Sequence, residues 1–338
     1  MGTNDAWLAL HEEPALDPEL KICDPHHHLW DHRGEGVAPR YLLDDFLADV
    51  AQSGHNVVSS VFIECGTMFN ADAQHRLKPI GETEFANGQA AMAASGQYGH
   101  VKAAAGIVGT AYLTEGASIA DVLDKQIETA PARFRGIRQA ASWDASPDVG
   151  NHRTEPAPGM YLERSFQAGF AQLAERELSF EAWCFHPQIS ELTQLAQVFP
   201  DTTIILDHFG GPIGIGPYAN RQENVFDVWK RDIKALAACP NVHAKLGGLA
   251  MPVNGYAWNK NAKPPSSYEL LEANKRYYEF TIEAFGVERC MFESNFPVDR
   301  VSVSYGVLWN MFKRLTEHYS VHEREALFHN NAARLYRI

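Results

Sequence analysis

Eight short apolar runs, each followed by a stretch of helical periodicity, recur between residue 20 and the end of the chain. They lie at 20–26, 57–63, 101–108, 134–139, 179–185, 203–208, 242–246 and 290–293, and most are rich in the β-branched and aromatic residues that suit strands. Between them, patterns such as Leu42, Leu43, Phe46, Leu47 and Val50 predict helices with one buried stripe. Two late helices open with capping boxes, Ser266 with Glu269 and Ser320 with Glu323. Strict β/α alternation calls for parallel strands covered by helices. Eight repeats with no linker or change of composition predict an α/β protein, a single (β/α)8 TIM barrel over residues 20–338 behind a polar N-terminal arm at 1–19. Long βα loops at 66–78, 141–158, 209–220 and 248–265 would arch over its C-terminal face.

Charge narrows the partners. A net charge of −13 argues against nucleic acid and anionic membranes, both of which need a basic surface. The five cysteines are scattered without a C-x-x-C pair, and no run of about 18 apolar residues occurs. A cytoplasmic protein acting on a small molecule is expected, with assembly into a homo-oligomer left open.

In such a barrel the residues at the carboxyl ends of the strands share one bowl. His26 and His28, two apart on the first strand, face the same way and His27 faces away. Adding His186 gives three imidazoles able to hold a divalent metal while leaving positions for water and substrate. His208 follows a run of strand formers and precedes Gly210-Gly211, where backbone can approach a ligand; it is a candidate metal ligand or general acid/base. Strand alternation turns Asp207 to the opposite face, as a supporting residue. Arg138 either holds a substrate carboxylate bidentately or pairs with Asp144 or Glu181. Lys245 is either a charge clamp and proton donor or an interior ion-pair partner of Glu64 or Glu293. Tyr218, Trp143 and Trp258, on the long loops, are candidate pocket walls.

His26-x-His28, His186, the run Leu206-Asp207-His208-Phe209-Gly210-Gly211-Pro212 and the run Phe292-Glu293-Ser294-Asn295-Phe296-Pro297 resemble the amidohydrolase-related TIM-barrel hydrolases. The similarity is closest to the lactonase branch, which holds sugar-lactone and dicarboxylate-lactone hydrolases; aminocarboxymuconate-type decarboxylases are more distant relatives. The resemblance implies a divalent metal, zinc or manganese, on His26, His28 and His186, with His208 beside metal and substrate. It also implies an aspartate after the serine, and here that position is Asn295. An amide cannot take up a proton at neutral pH. Water would then be activated by metal, His208, Glu293 or Asp299, and a metal-free route stays open.

The expected activity is hydrolysis of a lactone or similar cyclic ester, with Arg138 on a substrate carboxylate and His208, Lys245, Glu293 and Asn295 around the reacting atoms. Two alternatives stand beside it: non-oxidative decarboxylation of an aromatic or muconate-like acid, and a catalytically impaired barrel that serves as a binding protein.

Overall fold

The structure is a computed structural model that describes residues 4–33 and 38–338. Eight parallel strands run in chain order, β1 (Lys21–His27), β2 (Asn56–Ile63), β3 (Lys102–Gly109), β4 (Phe134–Arg138), β5 (Ser179–Ala182), β6 (Ile204–Leu206), β7 (Val242–Leu246) and β8 (Cys290–Phe292). Just past β8 the chain closes the ring on β1: the Asn295 amide donates to the His26 carbonyl at 2.9 Å and the His28 amide to that of Phe296 at 2.7 Å. This is the expected (β/α)8 barrel. Its strands read as near-continuous buried runs because both faces are covered, and in β1 every residue from Ile22 to His27 is buried.

The helices are α1 (Asp5–Leu8) in the N-terminal arm, α2 (Leu43–Ser53), α3 (Ile80–Ala94), α4 (Ala120–Thr129), α5 (Arg164–Phe170) and α6 (Ile189–Val198). They continue with α7 (Gln222–Ala237), α8 (Ser267–Phe285), α9 (Tyr305–Leu315), α10 (Val321–Glu325) and α11 (Asn331–Tyr336). In α7 the buried residues Val225, Trp229, Ile233 and Leu236 form one stripe at helical spacing. Both capping boxes are present; at α8 the Ser266 amide donates to Glu269 Oε2 at 2.7 Å and the Glu269 amide to Ser266 Oγ at 3.2 Å. A helix expected over 160–176 is broken up: Glu163, extended at φ −68° and ψ 134°, separates a 3-10 turn at Met160–Leu162 from α5, and a second 3-10 turn, Ala174–Arg176, follows it.

Two layers of core result. The larger lies between strands and helices. The smaller fills the barrel interior, where Cys23, Val61, Ile63, Val108, Ile205 and Met291 meet Ala332 and Tyr336 of α11. The Tyr336 hydroxyl donates to Glu181, so the last helix closes the floor under the polar residues above. Among the described residues no helix is long and apolar enough to cross a membrane.

Candidate functional site

Alternation along β1 works as read. His27 points outward and stacks on Phe46 of α2, ring centroids 4.3 Å apart, where burial drops its pKa to about 3. His26 and His28 point inward with their Nε2 atoms 3.2 Å apart. The partner of His28 decides its tautomer. His28 Nδ1 lies 2.8 Å from the Ile63 carbonyl, which can only accept, so Nδ1 carries the proton. His26 Nδ1 lies 2.8 Å from Glu293 Oε2. Burial alone would raise the pKa of Glu293, but His208 and His26 outweigh it and hold the group at about 2. Lys245 Nζ lies 3.3 Å from the same Nδ1, and Arg138 Nη1 lies 3.3 Å from Nε2, so both ring nitrogens of His26 face a cationic donor.

The two Nε2 atoms converge, and a 3.2 Å separation suits two nitrogens each ~2.0–2.1 Å from one divalent ion. Asp207 and His208 can bring further ligand atoms, which with one from His26 lie within 4.8 Å of one another. The donor set fits a divalent metal. Arg138 Nη1 and Lys245 Nζ, each 3.3 Å from a His26 nitrogen, oppose it electrostatically.

Below the histidines lies a buried charged layer. Asp207 Oδ2 accepts from Arg138 Nη1 at 3.3 Å, and its Oδ1 lies 3.3 Å from Lys245 Nζ. Asp207 thus faces inward, against the reading from alternation. β6 ends at Leu206, and the next residues leave the sheet with His208 and Phe209 at φ 51° and 60°, so a period of two no longer applies. Burial would raise the pKa of Asp207, but Lys245 and His26 hold it well below the usual carboxylate range. Lys245 Nζ donates to Glu181 Oε2 at 2.7 Å and stays protonated: burial works against the charge, and Glu181 and Asp207 outweigh it. Arg138 donates through Nε to Glu64 Oε1 at 2.7 Å and through Nη2 to the Glu64 carbonyl. Both cations thus pair within the barrel, but not with the partners the sequence suggested: Arg138 takes Glu64 and Asp207 in place of Asp144 or Glu181, and Lys245 takes Glu181 and Asp207 in place of Glu64 or Glu293.

Above this layer His208 and Glu293 form a second histidine–carboxylate contact, Nδ1 to Oε1 at 2.6 Å. Room for it comes from Gly247 and Gly248: a Cβ on Gly248 would lie 2.4 Å from His208 Nδ1, and one on Gly247 would lie 2.4 Å from Glu293 Cγ. Asn295, left-handed at φ 55°, donates from Nδ2 to Asp299 Oδ1 at 3.0 Å. Burial raises the pKa of Asp299 to about 7. His28, Arg138, His208 and Asn295 line one cavity of about 290 Å³, at the small end for a ligand site.

Residues 23–338 match the amidohydrolase family. The chain belongs to that family. An uncharacterized protein of Sinorhizobium fredii is 35% identical over 338 residues, 95% of this chain and 99% of its own. An L-fucono-1,5-lactonase of Burkholderia multivorans is 26% identical over 175 residues, 52% of this chain and 56% of its own. A zinc-bound crystal structure of an amidohydrolase from Burkholderia multivorans has the same fold, with a TM-score of 0.71 at 22% identity over 94% of this chain and 99% of that one.

Not every expected residue of this amidohydrolase joins the cavity. His186 sits in a turn after β5, where its Nδ1 accepts from the Ile213 amide at 3.3 Å and its ring meets Tyr218 edge-on at 5.2 Å. Tyr218 and Trp143 line a neighbouring cleft, and the Tyr218 hydroxyl donates to Asp144 Oδ2 at 2.8 Å. Trp258 stacks on Tyr256 at 5.7 Å. Conversely, Trp183, Arg33 and Arg153 line the cavity without having been singled out from the sequence. Trp183 packs edge-on against the His208 ring at 4.9 Å. Gly247-Gly248, directly after a strand, was the signal available for a close approach there.

Proposed function

We propose that the protein opens a lactone or related cyclic ester by attack of water, with His208 as the general base and then the general acid. The observation that carries this reading is the 2.6 Å contact between His208 Nδ1 and Glu293 beside the cavity. A carboxylate there holds the proton on Nδ1 and leaves Nε2 as a basic lone pair. Water forms a bond to the ester carbon while His208 takes its proton. The C–O bond to the ring oxygen then breaks, and the same proton goes to the leaving oxygen. Glu293 stabilises the imidazolium formed in between. Asn295 is held through its NH2 by Asp299, which leaves its carbonyl oxygen to accept a hydrogen bond from water.

His26 and His28, with Asp207 beside them, would hold a divalent ion such as zinc or manganese, which when bound polarises an ester carbonyl and lowers the pKa of water. The lactonase relative and the zinc-bound neighbour support this reading. Arg138 and Lys245 keep the charged layer beneath fixed.

Titration at constant pH with L-fucono-1,5-lactone and carboxylate-bearing lactones tests the reaction, because each ring opened releases a proton. Base uptake without released CO2 is expected; CO2 from an aromatic acid with no ring opening would sink the proposal in favour of decarboxylation. Elemental analysis is expected to find about one zinc or manganese per chain. The His26→Ala/His28→Ala variant should lack it. Full turnover by a metal-free wild type would place the work on His208 and Glu293 alone.

A further inference from the structure

The cleft that holds Trp143 and Tyr218 shares no lining residue with the histidine cavity, and nothing in the hydrolytic reading uses it. Its volume is about 550 Å³, well within the range of small-molecule sites. Trp143 and Asp144 reach it from the loop after β4, Glu191 from the first turn of α6 and Tyr218 from the loop after β6. Gln188, itself buried, ties these pieces together. Its Oε1 accepts from the Phe185 amide at 3.0 Å and from the Trp143 amide at 3.3 Å, and its Nε2 donates to the Ala141 carbonyl.

The two carboxylates of the cleft are unlike. Asp144 is held at both oxygens, by the Ser146 amide on Oδ1 and the Tyr218 hydroxyl on Oδ2, each at 2.8 Å. Glu191 has no such support. Its Oε2 is shut off from solvent without a hydrogen-bond partner among the described residues, and burial raises its pKa with no cation to oppose it. A carboxylate so placed is costly unless a donor or a cation reaches it. The protein supplies none among the described residues: neither acid forms an ion pair. Burial holds His186 neutral, lowering its pKa to about 4 against the pull of Asp144, and Arg221 acts on Tyr218 without pairing with either acid. Trp143 is partly exposed, and among the described residues no ring or cation packs on it. Prolines of the loops after β4, β5 and β6 complete the walls and bring no N–H groups. An anion would find no donors to match it there. An indole face beside two acids suits a cation with an apolar body.

We propose that this cleft binds a small organic cation, a protonated primary amine, with its ammonium on Glu191 and Asp144 and its carbon body on Trp143. No hydrogen bond fixes the Glu191 carboxylate, so it can turn to meet the ligand, and an ammonium brings three donors where the protein brings only acceptors. The amine is a second ligand, separate from the ester. The Asp144 amide donates to Asn151 Oδ1 at 2.8 Å, and Asn151 lines the histidine cavity, so one loop walls both sites.

Calorimetric titration near neutral pH with benzylamine, which is protonated there, and with neutral benzyl alcohol of similar shape reads the site without turnover. Benzylamine is expected to bind saturably and about tenfold or more tightly than the alcohol, the scale of a hydrogen bond to a charged group. Glu191→Gln should remove most of that preference and leave the affinity for the alcohol in place. Trp143→Leu should weaken both probes, since it takes away the surface under their common ring. Thermal melts of each variant check folding. Equal affinity for the two probes, no saturable binding of benzylamine by the wild type, or a preference for benzylamine that survives in Glu191→Gln would overturn the site. Tighter binding of benzyltrimethylammonium than of benzylamine would overturn the primary-amine assignment, because a quaternary cation has no N–H to give to Glu191.

Discussion

His208→Ala is expected to lower kcat/KM for lactone opening by roughly 10²- to 10⁴-fold, the usual contribution of a positioned general acid/base. No other cavity-lining imidazole is arranged to substitute. His28 has its Nδ1 proton on the Ile63 carbonyl and turns its Nε2 to His26, while His152 is tied to Arg153 and Thr154. Glu293→Gln should cost nearly as much with little change in shape. The amide can donate to His208 Nδ1, and an imidazole that accepts there carries its proton on Nε2, the wrong tautomer for a base. Steady-state kinetics on both variants, with melting curves to show that the barrel is intact, check this. A His208→Ala enzyme within about tenfold of wild type would remove His208 from the chemistry.

The fold was legible because the barrel imposes a simple rule on the sequence: strands covered on both faces and helices with one buried stripe. The same rule placed His26, His27 and His28 correctly, since β1 extends through His27 and its side chains keep alternating. It failed one residue past a strand end. Asp207 lies just beyond Leu206 and is still extended, but His208 and Phe209 after it turn left-handed, so Asp207 and His208 both face the interior where alternation separates them. His186 went astray for a related reason. β5 ends at Ala182, and the turn that follows carries the imidazole toward Tyr218. Arg33 and Arg153 belong to irregular loops, where no periodicity tells which way a side chain points. Glu181 was named only as a possible partner of Arg138. Its neighbours Lys245 and Tyr336 come from β7 and the last helix, a meeting that only the closed ring produces.

The charged layer predicts the largest effect on stability. Asp207→Ala should destabilise the fold by roughly 3–5 kcal/mol, the cost of breaking a buried ion pair and leaving its partners uncompensated. Asp207 is fully buried and faces Arg138 and Lys245 at once, so its loss leaves two buried cations short of a carboxylate. Lys245 keeps Glu181 at 2.7 Å and Arg138 keeps Glu64 at 2.7 Å, which favours the lower end of that range. Adding Lys245→Met should recover part of the loss, because it removes one stranded cation and puts an apolar chain of similar length in its place. The sign with pH follows from the lowered pKa of Asp207. Its contribution is fully present above the ordinary carboxylate range and fades as pH falls below it, and the Asp207→Ala variant should show a shallower acid dependence. Denaturant midpoints for wild type, both single variants and the double variant measure the coupling. A loss under about 1 kcal/mol for Asp207→Ala, in the range of exposed ion pairs, would mean that water reaches this layer and that the barrel interior is not the closed ionic floor on which the site is built.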